Sequence, residues 1–346
     1  MIPRTTPTCQ VEDIKLSQTK SSLQNWQAEL ACAIRDPSEL LELLQLPTSL
    51  LKGATSASQL FSLRVPRGYV QRIEKGNKDD PLLRQILPLQ DETIENPEYS
   101  FDPVGDLAAV GVPGLLHKYH GRVLLLTTPA CAVHCRYCFR RHFPYQENRA
   151  EQDWSTAIEY IRQHPDIHEI ILSGGDPLSL TDAKLKKITD KLIDIPHIKT
   201  LRLHTRQPIV LPERITPSLL EWLASLPWNI VIVLHCNHAN EIDNSVATAL
   251  TQLQQRNITL LNQSVLLANV NDNSKALVSL SHKLFKYQVL PYYLHTLDKV
   301  QGASHFHVSY ADACQLVSEI RQVLPGYLVP KLVQEIAGEN SKTPIV

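Results

Sequence analysis

The stretch that decides the fold runs from Arg122 to Cys138 and reads RVLLLTTPACAVHCRYC. Its first part, residues 122–128, is a run of apolar and β-branched residues that is typical of a buried strand. Its last eight residues contain Cys131, Cys135 and Cys138. Cysteines at this spacing cannot all lie on one side of a regular helix or strand, but a loop can wrap them around a compact metal centre. The stretch therefore predicts a strand followed by a metal-binding loop.

Five more apolar runs of the same texture follow this strand, and each leads into a longer amphipathic stretch that is typical of a helix. The predicted strands span residues 122–128, 168–174, 198–205, 229–235, 257–266 and 287–295. The predicted helices span residues 153–164, 181–194, 216–226, 244–256, 274–286 and 309–324. Six strand-then-helix units in succession predict an α/β fold in which a parallel sheet with right-handed crossovers curves into a partial barrel. Ligands of such sheets bind at the carboxyl ends of the strands.

The first hundred residues have a different, polar-rich helical pattern. The segment SSLQNWQAELACAIRD begins with serines at a predicted N-cap, and Pro37 predicts a break after it. Its apolar face comprises Leu23, Trp26, Leu30 and Ile34. We therefore expect an N-terminal helical region (1–100), an α/β core (101–328) and a C-terminal tail (329–346).

Composition excludes several classes of protein. The chain has 346 residues, with 34 basic and 35 acidic side chains, so it lacks the positive charge of a nucleic-acid-binding protein. Neither a secretory signal nor an uncharged stretch long enough to cross a bilayer is present, which predicts a cytoplasmic protein without a membrane partner. An odd number of cysteines, seven, favours reduced thiols over a disulfide framework.

Three ordinary explanations for the cysteine loop remain open on spacing alone. A structural zinc site would need a fourth ligand, for which His134 and His142 are near in sequence. An electron-transfer cluster would need a fourth cysteine, and the remaining cysteines are distant. Buried thiols used only for packing are the third explanation, although the following RYCFRRHF is too polar for a core. A fourth explanation is a [4Fe–4S] cluster that keeps one iron without a protein ligand, as a catalytic centre requires.

The pattern C-x3-C-x2-C after the first strand of a βα-repeat domain resembles the signature of the radical S-adenosylmethionine (SAM) enzymes. The resemblance implies a radical SAM partial (β/α)6 barrel. It also implies a [4Fe–4S] cluster on Cys131, Cys135 and Cys138 whose open iron binds SAM, from which the reduced cluster generates a 5′-deoxyadenosyl radical. An N-terminal helical region would precede the barrel, and the C-terminal tail would close the site.

Further candidate SAM contacts lie at the ends of later predicted strands. The segment SGGDP at residues 173–177 resembles the part of these enzymes that holds the SAM amino group, and its paired glycines permit close approach of backbone. The implied contacts are Ser173, Gly174, Gly175 and Asp176. Gln263 ends the fifth strand and is a further candidate. His235 and His238 share one face at the end of the fourth strand, either as a metal pair or as hydrogen-bonding groups, and we take His235 as a cofactor contact.

Longer stretches are similar, in order, to lysine 2,3-aminomutase, from about residue 100 to the end of the chain. They are HKYHGRVLLLTTPACAVHCRYCFRRHFP, EIILSGGDPLSL, TRQPIVLPERIT, NQSVLLANVNDN, PYYLHTLDKVQGASHF and SKTPIV. The length is most similar to the bacterial branch that makes (R)-β-lysine for modification of elongation factor P.

This family resemblance implies a second cofactor, pyridoxal 5′-phosphate (PLP), held covalently by Lys342 as the catalytic lysine. It assigns the PLP phosphate to Lys118 and Arg122, with Tyr119 beside them. The family more often has arginine where Lys118 stands. Longer members close a zinc site at a position where this chain has Asn273, so no zinc is expected.

The same resemblance assigns the substrate contacts. Arg140 matches the residue that binds the substrate carboxylate, a role that suits a guanidinium. Asp298 and Glu335 match two acidic positions that receive the distal ammonium of lysine, although the second is usually aspartate. Two carboxylates favour a cationic substrate, whereas a glutamate aminomutase would need cationic or neutral groups there.

The resemblance also implies partners. They are L-lysine, an electron donor such as flavodoxin or ferredoxin, and a ligase that acts on elongation factor P. The alternatives that remain are an aminomutase for another amino acid, such as glutamate, and a non-catalytic zinc or iron–sulfur protein.

Overall fold

Ten strands in the described residues form a sheet in which each strand pairs with the next in the chain. The computed structural model describes residues 25–148 and 154–345. The strands are β1 (Val110–Val112), β2 (Leu115–Tyr119), β3 (Arg122–Thr128), β4 (Glu169–Gly174), β5 (Thr200–Thr205), β6 (Asn229–His235), β7 (Thr259–Val265), β8 (Leu290–His295), β9 (Lys331–Gln334) and β10 (Thr343–Pro344). Neighbours from β3 to β9 are parallel, whereas β1–β2, β2–β3 and β9–β10 are antiparallel.

The six predicted strand-then-helix units are confirmed, as is the α/β partial barrel that they imply. The helices are α1 (Asn25–Ala31), α2 (Pro37–Leu43), α3 (Leu51–Leu60), α4 (Arg67–Val70), α5 (Pro81–Arg84), α6 (Ser155–Gln163), α7 (Asp182–Leu192), α8 (Gln207–Val210), α9 (Pro217–Ser225), α10 (Asn244–Gln254), α11 (Ser274–Lys286) and α12 (Tyr310–Val323). Strand residues such as Leu125 and Leu172 share a buried core with Leu185 of α7 and Leu219 of α9. Burial of these apolar faces supplies most of the driving force that holds helices against the sheet.

Side-chain caps explain where several of these helices begin. The Thr216 hydroxyl accepts a hydrogen bond from the Leu219 backbone N–H at 3.2 Å, and Pro217 occupies the first helical position of α9. At the start of α12, the Ser309 hydroxyl accepts from the Asp312 N–H at 3.1 Å. Each cap forms within three residues of chain, so the local sequence is sufficient to specify it.

The described part of the N-terminal region, residues 25–100, contains helices α1 to α5. The first helix ends earlier than predicted, at Ala31 and not at Pro37, because Ile34 pairs with Val65 in an antiparallel β-bridge. A new helix, α2, begins at this proline, and the Asp36 carboxylate accepts a hydrogen bond from the Ser38 N–H at 2.9 Å. Trp26 of α1 is buried beneath the guanidinium of Arg214, which lies 4.6 Å from the ring centroid. The predicted serine cap and Leu23 lie outside the described residues.

This N-terminal region packs directly on the cysteine loop. Leu63 and Val65 share a buried cluster with Ala132 and Val133. The loop backbone also donates hydrogen bonds to that region, from the His134 N–H to the Arg64 carbonyl at 2.9 Å and from the Arg136 N–H to the Gln85 carbonyl at 2.9 Å. The segments before the barrel therefore hold the loop in place.

The C-terminal residues continue the sheet and turn back over it. Strand β9 adds to the edge of β8, and β10 pairs with β9 in antiparallel register. Strands β1, β2, β9 and β10 were not predicted from the sequence, because they are short and gain their partners only in the folded chain. The division at residues 100/101 and 328/329 stays a prediction. Within the described ranges, the helices are too short or too polar to cross a membrane, and a cytoplasmic location also stays a prediction.

Candidate active site

A cavity of about 480 Å³ inside the partial barrel gathers the residues that the sequence selected. It reaches from the cysteine loop after β3 to Arg122 at the beginning of β3, and the C-terminal hairpin borders it. The selected residues that line it are Cys131, Cys135, Cys138, Lys118, Tyr119, Arg122, Arg140, Ser173, Gly174, Gly175, Asp176, His235, Gln263, Asp298, Glu335 and Lys342. Segments that are far apart in sequence therefore contribute to one site.

The three thiols of the loop are free and face this cavity. Burial and the neighbouring Cys135 raise the pKa of Cys138 to about 11, and burial, Asp176 and the other thiols raise that of Cys131 well above its usual range. These groups prefer to be protonated when no cation is near. A metal centre that binds them as thiolates displaces the protons and relieves the repulsion. The donor set therefore fits a bound metal centre.

The arrangement of the thiols fits a cluster better than a single zinc ion. In residues 25–148 and 154–345, no three histidine, cysteine, aspartate or glutamate side chains converge closely enough to hold one metal ion. Zinc requires its ligands around one point, with Zn–S distances of about 2.3 Å. An iron–sulfur cluster instead takes each cysteine on a different iron, so its ligands surround a larger volume.

The two histidines considered as a fourth zinc ligand have other partners. The His134 ring stacks on Phe61, and its Nδ1 lies 2.8 Å from the Ser62 carbonyl oxygen. The Nε2 of His142 lies 3.2 Å from the Gln301 carbonyl oxygen. Neither ring lines the cavity, so the structure does not bring either histidine to the cysteines.

The SGGDP segment packs the end of β4 against the backbone that leads into the cysteine loop. Gly174 has a φ of +116°, and a Cβ atom on Gly175 would lie 2.5 Å from the Ala130 carbonyl oxygen. The glycines thus allow two protein backbones to meet, whereas the sequence suggested close approach to a ligand. The Asp176 carboxylate accepts hydrogen bonds from Thr205 Oγ1 and from the backbone N–H groups of Leu178, Arg206 and Gln207. Asp176 therefore positions the end of β5, and its direct contact with SAM stays a prediction.

Acidic and basic side chains alternate where the cavity borders the C-terminal hairpin. Lys342 Nζ lies 2.5 Å from Glu335 Oε2, and Lys118 Nζ lies 3.0 Å from Glu335 Oε1. Lys118 also contacts Asp106 at 2.6 Å. Burial alone would raise the pKa of Glu335, but the two ammonium groups outweigh burial and lower it to about 2. Glu335 is consequently ionised throughout the physiological range.

The charge of Asp298 is compensated less completely than that of Glu335. Burial and the nearby Glu335 raise its pKa to about 7, although Lys342 opposes the shift. A buried carboxyl group with a raised pKa gains most from a cationic ligand, because the ligand stabilises its ionised form. Asp298 is thus suited to receive an ammonium group.

Arg140 is fixed by two partners. Its Nε donates to Asp106 Oδ2 at 2.7 Å, and its Nη1 donates to Ser173 Oγ at 3.2 Å. The other amino nitrogen of the guanidinium, Nη2, has no hydrogen-bond partner within the described chain. Asp106 is 2% exposed and bridges Arg140 and Lys118. Sequence reasoning missed Asp106 because it lies in an irregular segment without a motif.

The two cations predicted for a phosphate differ in their surroundings. Among the described residues, Arg122 forms no ion pair, and its guanidinium lies over the Tyr119 ring at 4.8 Å from the centroid. Lys118 already contacts two carboxylates. Arg122 is therefore the better donor for an anionic phosphate, and both contacts with PLP stay predictions.

Comparison with known proteins agrees with this geometry. The model of the Radical SAM superfamily matches residues 125–242. The L-lysine 2,3-aminomutase of Escherichia coli (strain K12) is 53% identical over 327 residues, which cover 94% of this chain and 95% of that protein. The enzyme of the same name from Haemophilus influenzae is 49% identical over 321 residues, covering 92% of this chain and 95% of its own. That of Clostridium subterminale is 33% identical over 324 residues, covering 93% and 78%.

The chain belongs to the lysine 2,3-aminomutase family. It is an enzyme, and an aminomutase is an isomerase because it moves an amino group within one molecule. Membership among the radical SAM enzymes implies a [4Fe–4S] cluster and SAM. The assignment of the cluster to the cysteine loop and of SAM to the cavity stays a prediction. The free thiols and the polar strand ends beside them fit both groups.

Three histidines mark a second polar surface in this member of the lysine 2,3-aminomutase family. The Nε2 atoms of His204, His235 and His295 are buried and have no hydrogen-bond partner among the residues that the structure describes, and all three rings line the cavity. Burial and Arg206 lower the pKa of His235 to about 3, and burial and neighbouring cations lower those of the other two. Neutral rings with free nitrogens fit the hydrogen-bonding groups of bound cofactors. His204 and His295 were missed, although both lie near the ends of predicted strands. The Nδ1 of His238 instead accepts a hydrogen bond from the Asn240 N–H, and His238 does not line the cavity.

Proposed function

We propose that this enzyme converts L-α-lysine to (R)-β-lysine with a [4Fe–4S] cluster, SAM and PLP. The cofactors divide the work. When bound, the reduced cluster and SAM would supply a 5′-deoxyadenosyl radical that removes a hydrogen atom from the substrate, and PLP would supply a conjugated system that stabilises the unpaired electron while the amino group moves between two adjacent substrate carbons.

The observation that carries this proposal is the distribution of charge in the cavity. A guanidinium at Arg140 suits a carboxylate, and the carboxylates of Asp298 and Glu335 suit a distal ammonium. The cysteine loop opens into the same cavity. An amino acid with a cationic side chain matches both ends, whereas glutamate would place a second carboxylate against Asp298 and Glu335.

The residues of the chain act by binding and orientation. Asp106 and Ser173 hold Arg140 in one position, so less entropy is lost when a carboxylate binds. Glu335 holds the Lys342 ammonium at the cavity, which keeps the amine close to the position where PLP would be attached. The β9–β10 hairpin borders the cavity and helps to exclude water, which a radical reaction requires.

Two kinds of partner are included in the proposal. A one-electron donor, flavodoxin or ferredoxin, would reduce the cluster. A ligase that modifies elongation factor P would consume the β-lysine. Both extend the family resemblance, and neither is needed for the test of catalysis.

Product analysis tests the function directly. The chain is reconstituted anaerobically with iron, sulfide and PLP, and incubated with SAM, a reductant and lysine. We expect β-lysine, identified by chiral chromatography, and no product from glutamate or ornithine. Preferential conversion of glutamate would show that glutamate, and not lysine, is the substrate. One bound zinc ion per chain without SAM cleavage would refute the proposed activity and favour a non-catalytic metal protein.

A further inference from the structure

One buried arginine points at the cysteine loop and has no role in the proposed reaction so far. Arg206 follows β5 in the TRQPIVLPERIT segment and is 5% exposed. Its Nη1 lies 2.7 Å from the Cys135 sulfur. Among the described residues, Cys135 is the member of the three-cysteine set whose sulfur accepts a hydrogen bond from a guanidinium.

A polar network prevents Arg206 from turning away. Its Nη2 donates to Glu241 Oε2 at 2.7 Å and to Gln85 Oε1 at 2.6 Å. Its backbone N–H donates to Asp176 Oδ2 at 2.8 Å. The N-terminal region, the end of β4 and the segment after β6 therefore fix one guanidinium against one sulfur.

The charge of Arg206 is only partly neutralised. Glu241 is its ion-pair partner, but this buried carboxylate also accepts hydrogen bonds from the N–H groups of Asn237 and His238, at 2.8 and 2.9 Å. A guanidinium is not deprotonated in proteins. Arg206 thus remains a cation beside the sulfur.

We propose that Arg206 is a positioning residue that sets the reduction potential of the iron–sulfur cluster through the Cys135 sulfur. The inference rests on the proposed function, which places a cluster on this cysteine. Hydrogen bonds to the sulfurs and nearby charge tune the potential of such clusters. Because the reduced cluster carries one more negative charge, the guanidinium stabilises it and raises the potential. Glu241 limits this effect by opposing the charge.

A redox titration of the reconstituted full-length chain tests the proposal, with the reduced fraction followed by electron paramagnetic resonance. In Arg206→Gln we expect the ratio of reduced to oxidised cluster at a fixed potential to fall about tenfold, a shift of about 59 mV for one electron. Arg206→Lys keeps the positive charge, so its cluster potential should shift less from the wild-type value. Glu241→Gln should shift the potential in the opposite direction, which a purely structural role would not produce.

Arg214→Gln is the matched control. Arg214 is fully buried and pairs with Asp182 at 2.7 Å, but it donates to the Leu178 and Leu180 carbonyls and contacts no cysteine. The reduction potential of the cluster in Arg214→Gln should equal that in the wild type. Equal potentials in the wild type, Arg206→Gln and Arg214→Gln would overturn the proposal.

If the Arg206→Gln variant fails to bind the cluster, the Glu241→Gln variant tests the proposal by itself. A reduction potential of Glu241→Gln at or below the wild-type value would then overturn the proposal. A wild-type chain that takes up no iron and sulfide would refute the proposed function instead. The readout requires neither lysine nor turnover, so the two failures are distinct.

Discussion

Lys342 and Glu335 lie seven residues apart in the chain and face each other across the β9–β10 hairpin, with Nζ 2.5 Å from Oε2. This contact joins the residue proposed to hold PLP to a residue proposed to bind the substrate ammonium. The hairpin therefore brings the proposed cofactor lysine and a proposed substrate carboxylate together.

Substitution Lys342→Ala tests the attachment. We expect this variant to retain no covalently bound PLP after desalting, because the amine that holds the cofactor is gone. Visible absorption and borohydride trapping followed by peptide mass analysis measure the retained cofactor. Lys331→Ala is the control, since Lys331 lies on the same hairpin and is exposed. Covalent PLP at wild-type level in Lys342→Ala would contradict the assignment.

Binding of lysine should depend on pH through Asp298. Its pKa is raised to about 7, so it is largely protonated below pH 7 and ionised above it. The lysine ammonium keeps its charge over this range. The apparent affinity for lysine should therefore rise between pH 6 and pH 8. The rise should be at most tenfold for each pH unit below pH 7 and should level off above it. Titration of the reconstituted enzyme measures it.

Asp298→Asn should flatten this pH profile. The substitution should also change the pH dependence of stability. A carboxyl group whose pKa is higher in the folded than in the unfolded chain destabilises the folded chain as the pH rises from the unfolded-state pKa, about 3.9, to the folded-state pKa, about 7. The variant should consequently melt at a higher temperature than the wild type at pH 8 but not at pH 4. An unchanged pH dependence of lysine binding would refute the role of Asp298.

Asp106→Asn should weaken lysine binding. The side chain contacts Arg140 at 2.7 Å and Lys118 at 2.6 Å, and its removal leaves two half-buried cations without their shared partner. We expect KM for lysine to rise about tenfold, equivalent to about 1.4 kcal/mol, with a smaller change in kcat. The exposed pair of Asp79 with Lys78 supplies the control Asp79→Asn, which should leave KM unchanged. A loss confined to kcat would contradict the positioning role.

Gly175→Ala should disturb the cysteine loop. The added Cβ atom would meet the Ala130 carbonyl oxygen at 2.5 Å and the Pro129 carbonyl carbon at 2.7 Å, and both are backbone atoms that cannot give way alone. We expect a lower melting temperature and less iron per chain after reconstitution. Gly68→Ala is the control, because no atom lies within 4 Å of the position of its Cβ. Wild-type stability and iron content in Gly175→Ala would show that the loop adapts.

Much of the fold was predictable because its signals are local. The apolar run at residues 122–128 became β3, and the Thr216–Pro217 pair began α9. Each of these depends on side-chain period or on caps formed within four residues. The tail was harder: β9 and β10 are too short to be recognised alone, and β9 exists because the edge of β8 is available.

The site was predictable where a motif was present and not elsewhere. The cysteine spacing and the SGGDP segment marked two of its edges. Asp106 and His204 lie outside the quoted motifs, and Arg206 lies in a segment, TRQPIVLPERIT, in which the sequence pattern assigned no role to any residue. Their roles follow from contacts that only packing creates.

By itself, the sequence determined the order of strands and helices, the cysteine loop and the family of the chain, because these depend on neighbouring residues. The tertiary structure decided which polar groups around the cavity meet: Asp106 with Arg140, 34 residues apart; Cys135 with Arg206, 71 apart; and Lys118 with Glu335, 217 apart. Such pairs form only after the sheet curves around them, and their partial or full burial then makes each contact strong enough to set a pKa or a position.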